Sequence, residues 1–182
     1  HLFVEAAGCP FRVSAGSFFQ VNTPQAENML RYLLDHLPLG PQTLLLEVYA
    51  GVGLFSAFLA PRAGRLAAVE SAPSAVDDFA ANLDEFDNAE LYAGAAEEIL
   101  PALDLHPDII LVDPPRAGLA LPVLDAVLAM QAPFLAYVSC DPATLARDTK
   151  RLLAGGYQLQ SAQPFDMFPQ TYHIESVSFF TR

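Results

Sequence analysis

Cysteine is nearly absent: the 182 residues hold only Cys9 and Cys140. Two thiols are too few for a disulfide scaffold, and no Cys/His cluster has metal-ligand spacing. A chain with neither disulfides nor a structural metal is expected in a reducing cytoplasm. Basic residues are also scarce, nine Lys and Arg against 21 Asp and Glu, for a formal net charge of −12. That balance argues against a nucleic-acid partner unless the charge is unevenly placed. Long apolar runs are missing as well. Glu47, Arg62, Arg65 and Glu70 interrupt the richest stretch, and nothing reaches the ~20 residues needed to span a bilayer. The opening HLFVEAAGCP has neither the basic start nor the long apolar region of a signal peptide. It also lacks an initiator Met, so a piece of something longer is expected.

What is present is 53% apolar and of single-domain length, enough for a substantial core. The acids are segregated: residues 66–115 carry twelve and no Lys or Arg, which leaves nine acids and all nine bases elsewhere. Several bases fall beside unusual motifs. Arg116 follows Asp-Pro-Pro, and Arg147, Lys150 and Arg151 lie at helical spacing on one predicted face after Cys140. Lys150 and Arg151 read equally well as a solvated face.

Residues 1–22 read as an extended segment with two short strands, LFVEA and FRVSA, and residues 23–182 as the main domain. NTPQAENMLRYLLDHL predicts a helix capped by Asn22 or Thr23, with Met29, Leu30, Leu33, Leu34 and Leu37 along one stripe. An alternation follows. TLLLEV, RLAAVE, AELYAG, DIILVD and FLAYVS are strand-like, and each precedes a helical stretch. Continuous apolar runs of this kind suit buried parallel strands. YQLQSAQPF and HIESVSFFTR then form two strands with no helix between them, hence an antiparallel hairpin. The expected fold is α/β, a doubly wound and mostly parallel sheet.

Ligands in such sheets bind beyond the carboxyl ends of the strands. Those ends carry E-V-Y-A-G-V-G (47–53), Glu70, D-P-P-R (113–116) and S-C-D-P (139–142). The first places an acid at a strand end and then Tyr49, Gly51 and Gly53. Glycine there serves either a close backbone approach to a ligand or simply a tight turn. The acid-x-aromatic-x-G-x-G spacing is that of S-adenosyl-L-methionine (SAM)-dependent methyltransferases, and Ser56 fits the longer dinucleotide fingerprint poorly. Glu70 suits ribose hydroxyls with either cofactor. DPPR resembles the Asp-Pro-Pro-aromatic motif of amino-methyltransferases with Arg116 in place of the aromatic, or else it is a rigid turn capped by Asp113.

Cys140 in isolation is a small hydrophobe. At a strand end beside a helix opened by Asp141 and Pro142 it is also a candidate thiolate, because helix N-termini lower a free-cysteine pKa of roughly 8.5. Asp141 opposes that effect and Arg147 is positioned to offset it. A methyltransferase can use a thiolate to add to carbon 6 of a pyrimidine and make carbon 5 nucleophilic. A base must then remove the carbon-5 proton. Glu175, in F-P-Q-T-Y-H-I-E-S, is the first candidate base and His173 the second, with a solvated strand-end acid as the alternative.

Taken together, F-R-V-S-A-G-S-F-F-Q-V-N (11–22), E-V-Y-A-G-V-G-L-F-S, Y-V-S-C-D-P-A-T-L-A-R-D and M-F-P-Q-T-Y-H-I-E-S resemble the RNA uracil-5-methyltransferase family, in family order through nearly the whole chain. The resemblance implies a Rossmann-like class I methyltransferase with SAM as cofactor. It implies Cys140 as nucleophile and Glu175 as base, with Gln20, Tyr49, Glu70 and Asp113 at the cofactor. The substrate implied is a uridine in 23S ribosomal RNA or transfer RNA. Ala50, Leu54 and Ala95 depart from the family pattern. The family's N-terminal RNA-binding and central domains are missing from these residues, so weak RNA binding is expected of them alone. Two rival readings are a SAM-binding module without activity and an exocyclic-amine methyltransferase using Asp113-Pro-Pro-Arg116.

Overall fold

A computed structural model describes residues 1–182. Two strands open it, β1 (Leu2–Ala6) and β2 (Cys9–Val13), paired antiparallel as a small sheet of their own. Their connection is the two-residue Ala7–Gly8, both at positive φ (50° and 78°), the backbone that matches strand twist in a tight hairpin. The second strand therefore starts at Cys9, two residues earlier than FRVSA suggests.

Helix α1 (Thr23–His36) follows, with Asn22 as its cap accepting from the Gln25 N–H at 3.3 Å. Ala26, Met29, Leu30 and Leu33 are buried on its inner stripe. The main sheet then forms from β3 (Leu44–Val48), β4 (Arg65–Glu70), β5 (Ala89–Ala93), β6 (Ile109–Val112), β7 (Phe134–Ser139), β8 (Gln158–Phe165) and β9 (Glu175–Thr181). Its order is β5-β4-β3-β6-β7-β9-β8. The first five strands are parallel, and β9 runs antiparallel between β7 and β8. Helices α2 (Leu54–Leu59), α3 (Pro73–Asn82), α4 (Ala96–Ile99), α5 (Leu121–Met130) and α6 (Pro142–Ala154) connect the parallel strands.

Both faces of the central strands β3, β4, β6 and β7 are covered, which is why these read as unbroken apolar runs. The edge strands β5 and β8 are partly or largely exposed. Alternate residues separate cleanly. Leu45, Leu66, Ile109 and Leu111 face a core shared with α1, α2 and α3. Leu46, Val69, Ile110 and Val112 face a second core with α5 and α6. Burying side chains of this size is worth roughly 1.5–3 kcal/mol each. The helix read over AAEEILPAL is only one α turn followed by a 3-10 turn at Leu100–Ala102. Pro101 has no N–H to give the α ladder, and this shortens it.

The first 22 residues pack on the main body rather than trailing from it. Ala6, Phe11 and Val13 join the larger core. The Asp78 carboxylate, fully buried on α3, accepts from Ser14 N–H (2.6 Å), Ser14 Oγ (2.8 Å) and Ser17 Oγ (2.6 Å), with Arg12 Nε 3.1 Å away. Asn82 Nδ2 donates both to Arg12 O at 3.0 Å and to Val52 O at 2.9 Å. One helix end thus fastens the N-terminal hairpin and the β3–α2 loop together.

Candidate active site

The order β4-β3-β6 creates a switch point, because the chain winds outward from β3 to β5 and then returns to β6 on the other side. A cavity of about 370 Å³ opens at the carboxyl ends of these strands, within the roughly 300–1,000 Å³ usual for ligand pockets. Gln20, Tyr49, Gly51, Glu70, Asp113, Cys140 and Glu175 all line it. Gly53 does not.

The β3–α2 loop owes its shape to three left-handed residues, Tyr49 (φ 67°), Gly51 (57°) and Gly53 (87°). Tyr49 and Ala50 N–H groups both donate to Val69 O, at 2.9 and 3.1 Å, which ties the turn to β4. A non-glycine residue held in this region costs on the order of 1–3 kcal/mol and persists where the surroundings impose it. Gly53 has a packing reason instead of a ligand: a Cβ there would lie 2.4 Å from Leu83 Cδ1 and 3.0 Å from Phe79 Cδ2. Glu70 Oε2 accepts from the Gly51 N–H at 2.8 Å, and Oε1 from Ser71 and Ala72 N–H groups at 2.8 and 2.7 Å. Three donors on about four lone-pair sites leave roughly one for a ribose hydroxyl, so the carboxylate is oriented before any ligand arrives.

Glu47, the acid that opens the motif, is 1% exposed yet borders the cavity. Ser56 Oγ donates to its Oε2. Burial pushes its pKa up to about 8, with the Ser56 hydrogen bond opposing and Glu70 reinforcing the rise. Asp113, at the end of β6, is pushed well above the usual carboxylate range by burial, then by Glu175 and Glu47. Its carboxylate makes no hydrogen bond within the chain, so it does not cap the turn that follows.

Cys140 follows β7, and Asp141 is the cap of α6, accepting from Ala143 and Thr144 N–H groups at 2.8 and 2.9 Å. Ser139 Oγ donates to Asp141 O at 3.0 Å and accepts from the Asp141 N–H at 3.2 Å, which fixes the bend at the thiol. The thiol is half-buried, and its pKa is raised rather than lowered. Burial is the main cause, then Glu175 and Asp113; its own backbone hydrogen bond and Arg116 pull the other way. The lowering expected from the helix N-terminus is therefore outweighed. Arg147 is not the balancing cation either, because its guanidinium is spent on Asp148. Arg116 takes that part. Arg151 lies 3.9 Å from Asp125 at the surface, remote from the thiol.

Glu175 is 6% exposed at the first position of β9, and burial raises its pKa against the pull of Arg116. His173 precedes the strand, so no strand periodicity relates it to Glu175. Its ring packs on Tyr172 (4.1 Å) and edge-on to Phe168 (6.0 Å), outside the cavity lining. Of the two candidate bases, only Glu175 reaches the cleft.

Beyond the expected residues, the cavity wall is aromatic: Phe18, Phe19, Phe55 and Phe168 line it with Leu54 and Ala50. Ala95 caps α4 and lies outside the lining. Asn22 Nδ2 donates to Met167 O at 3.1 Å, joining the segment that carries Phe18–Gln20 to the one that carries Phe168. Glu47 had a sequence signal, an acid inside an apolar strand. The phenylalanines had none as single residues beyond being apolar, although each lies in a stretch that carries the family resemblance. No group of three or more His, Cys, Asp or Glu is arranged to hold a metal.

A half-apolar slot with buried carboxyl groups suits a ligand that joins a flat ring system to a cation, as a nucleoside sulfonium does. The fold is that of class I SAM-dependent methyltransferases. A precorrin-6y C5,15-methyltransferase of Geobacter metallireducens, 17% identical, overlays 94% of this chain and 94% of its own at a TM-score of 0.73. A tRNA (uracil-54, C5)-methyltransferase of Pyrococcus abyssi, in complex with S-adenosyl-L-homocysteine, covers 100% of this chain with 45% of its own at a TM-score of 0.85 and 29% identity. The tRNA (uracil-5-)-methyltransferase family matches residues 1–182, and the chain belongs to that family. A relative from Thermosynechococcus vestitus, described as an uncharacterized RNA methyltransferase, is 42% identical over 100% of this chain and 41% of its own length. Another from Lactococcus lactis, described in the same words, is 39% identical over 94% of this chain and 38% of its own. The chain spans about two fifths of the length of these relatives.

Proposed function

We propose that this domain transfers a methyl group from SAM to carbon 5 of a uridine in tRNA or 23S rRNA, through a covalent bond between Cys140 and uracil carbon 6. The observation that carries this reading is the convergence of a thiol and a buried carboxyl, Cys140 and Glu175, on one cavity that the SAM-type loop at Tyr49–Gly51 also lines. An exocyclic-amine reaction would use Asp113 and its prolines and leave Cys140 and Glu175 without a task.

The residues divide the work. Glu70, held by three backbone N–H groups, is set to receive a ribose hydroxyl, and Gly51 lets the backbone pass close to the ligand. Burial favours the protonated forms of Glu47 and Asp113 in the empty cleft, and a cationic ligand beside them would favour the ionised forms. When bound, the cofactor would supply a methyl group on an electrophilic sulfonium, whose sulfur would keep the electrons of the broken sulfur–methyl bond and leave as a neutral thioether. The Cys140 thiolate adds to uracil carbon 6, and the displaced π electrons make carbon 5 enolate-like. Carbon 5 takes the methyl group. Glu175 then removes the carbon-5 proton, the carbon 5–carbon 6 double bond re-forms, and the sulfur leaves with its electron pair. A carboxylate with a raised pKa is the better base for that step, which is typically worth ~10²–10⁴-fold. Arg116 balances the negative charge that the thiolate and Glu175 share.

Transfer from methyl-labelled SAM to bulk tRNA and rRNA, followed by nucleoside digestion, tests this. Label in 5-methyluridine that vanishes with Cys140→Ala supports it. Label in a methylated exocyclic amine, untouched by Cys140→Ala, would falsify it.

A further inference from the structure

Arg116 reaches the cleft from a short turn. Gly118 N–H donates to Pro115 O at 2.8 Å, closing a four-residue turn with Arg116 and Ala117 at its tip. The near end is fixed by the strand: Asp113 N–H donates to Val48 O at 3.2 Å, and Pro114 and Pro115 restrict the backbone between. The far end is fixed by α6. Asp148, 1% exposed, accepts from the Leu119 N–H, the Tyr137 hydroxyl and Arg147 Nε, each at 2.8 Å. Arg147 Nη2 in turn donates to Ala117 O at 2.9 Å and Leu119 O at 3.3 Å. The fit is close, because a Cβ at Gly118 (φ +73°) would stand 2.6 Å from both Arg147 Nη2 and Asp148 Oδ2.

Helix α6 therefore holds two things at once. Its first turn abuts Cys140, and its second holds the turn that carries Arg116. We infer that Arg147 and Asp148 are positioning residues, which clamp the Pro115–Gly118 turn to α6 and so keep the Arg116 guanidinium in the cleft with Cys140 and Glu175. The clamp spans two motifs that are otherwise separate, DPPR after β6 and CDPATLARD after β7. It also gives a task to Asp148, a carboxylate buried where α6 faces β7, whose partner Arg147 is half-exposed.

The charged surroundings make the consequence readable. Carboxyl groups line the cleft from Glu175 on β9, Asp113 after β6, Glu47 on β3 and Glu70 on β4, with Asp141 the next residue along the chain. Glu175 and Asp113 are the ones that act on the thiol. Arg116 is the one cation in the lining. A guanidinium that wanders leaves the carboxyl groups unopposed and makes the thiolate harder to form.

This inference rests on Cys140 as the attacking thiolate, but its test needs neither RNA nor cofactor, so it can fail while methyl transfer stands. In a Cys9→Ser background Cys140 is the sole thiol, and its alkylation by iodoacetamide is followed against pH. Arg147→Gln is expected to move the profile upward by about half a pH unit, a roughly threefold slower reaction at pH 8. Arg147→Lys, which keeps the charge but cannot span two carbonyls and a carboxylate, is expected to shift it the same way. In an Arg116→Gln background neither substitution should shift it further. An unchanged profile, or an equal shift with and without Arg116, overturns the inference. Circular dichroism melts identify a variant that has lost its fold, and Arg147→Lys then decides the outcome.

Discussion

Glu175 enters β9 at the register position opposite Cys140. Ser139 pairs with Ser176 as the last rung between β7 and β9, so the next residue of each strand comes to the same corner of the sheet. An antiparallel strand inserted beside β7 is what makes this possible, since a parallel neighbour would have carried its entering residue to the opposite end. The order β7-β9-β8 thus brings residues 35 positions apart in the chain into one cavity.

If Glu175 removes the carbon-5 proton, losing it should stop release rather than attachment. Glu175→Gln is expected to lower turnover by ~10²–10⁴-fold while a protein–RNA adduct accumulates. Denaturing gel electrophoresis with labelled RNA reads the adduct directly. Loss of both turnover and adduct would instead place Glu175 before the covalent step.

The same carboxyl group raises the Cys140 pKa. Removing its charge should therefore ease thiolate formation, whereas removing Arg116 should hinder it. Alkylation profiles in the Cys9→Ser protein are expected to move to lower pH with Glu175→Gln and to higher pH with Arg116→Gln. Unchanged profiles would mean that burial alone, not these charges, governs the thiol.

Glu47 links the cleft to stability. Its folded pKa is about 8, against 4.5 for the free side chain. Between those values the folded state holds a proton that the unfolded state has lost, so stability falls as pH rises. The slope is up to about 1.4 kcal/mol per pH unit. Chemical denaturation at pH 5, 6.5 and 8 should show this fall in the native protein and a flatter response in Glu47→Gln. Equal pH dependence in the two would remove Glu47 as its source.

Asp78 ties the N-terminal hairpin to α3, and Phe18–Gln20 follow directly from it. Asp78→Ala leaves Arg12, Ser14 and Ser17 without their acceptor, and breaking a buried pair in this way costs ~3 kcal/mol or more. The expected result is a lower melting temperature together with weaker cofactor binding by calorimetry, because the Gln20 wall loses its anchor. A destabilised variant with unchanged affinity would separate the hairpin from the site.

Much of this was legible in the sequence, and for identifiable reasons. The central parallel strands could be read because both their faces are covered, and the strand ends could be listed as a candidate site because parallel sheets bind ligands there. Cys140, Tyr49, Glu70 and Asp113 all reach the cavity from that listing, and Glu175, read separately as an acid opening an apolar strand, joins them. Gly53 does not, since a glycine needed for packing against Leu83 and Phe79 has the same sequence signature as one needed near a ligand. Arg147 was placed on the correct helix with the wrong partner. Helical spacing shows which residues share a face, but not that the buried neighbour Asp148 and the Ala117 and Leu119 carbonyls would claim the guanidinium. The sign of the Cys140 shift was likewise beyond reach, because it depends on carboxyl groups delivered by β6 and β9.

The charge distribution carries a further expectation. Backbone phosphates are held by Lys and Arg, and each contact makes binding more salt-dependent. With nine bases against 21 acids, these 182 residues should bind RNA weakly and with a shallow dependence on salt. Fluorescence anisotropy across a salt series checks this, and tight, steeply salt-dependent binding contradicts it.

The most direct measurement is mass spectrometry of the protein incubated with SAM and 5-fluorouridine-substituted tRNA or rRNA. Fluorine at carbon 5 cannot depart as a proton does, so Glu175 has nothing to remove and the sulfur–carbon 6 bond should persist. A nucleotide adduct on the peptide that carries Cys140, absent in Cys140→Ala, is the predicted result. Methylated RNA product with no adduct at that cysteine would contradict the covalent mechanism.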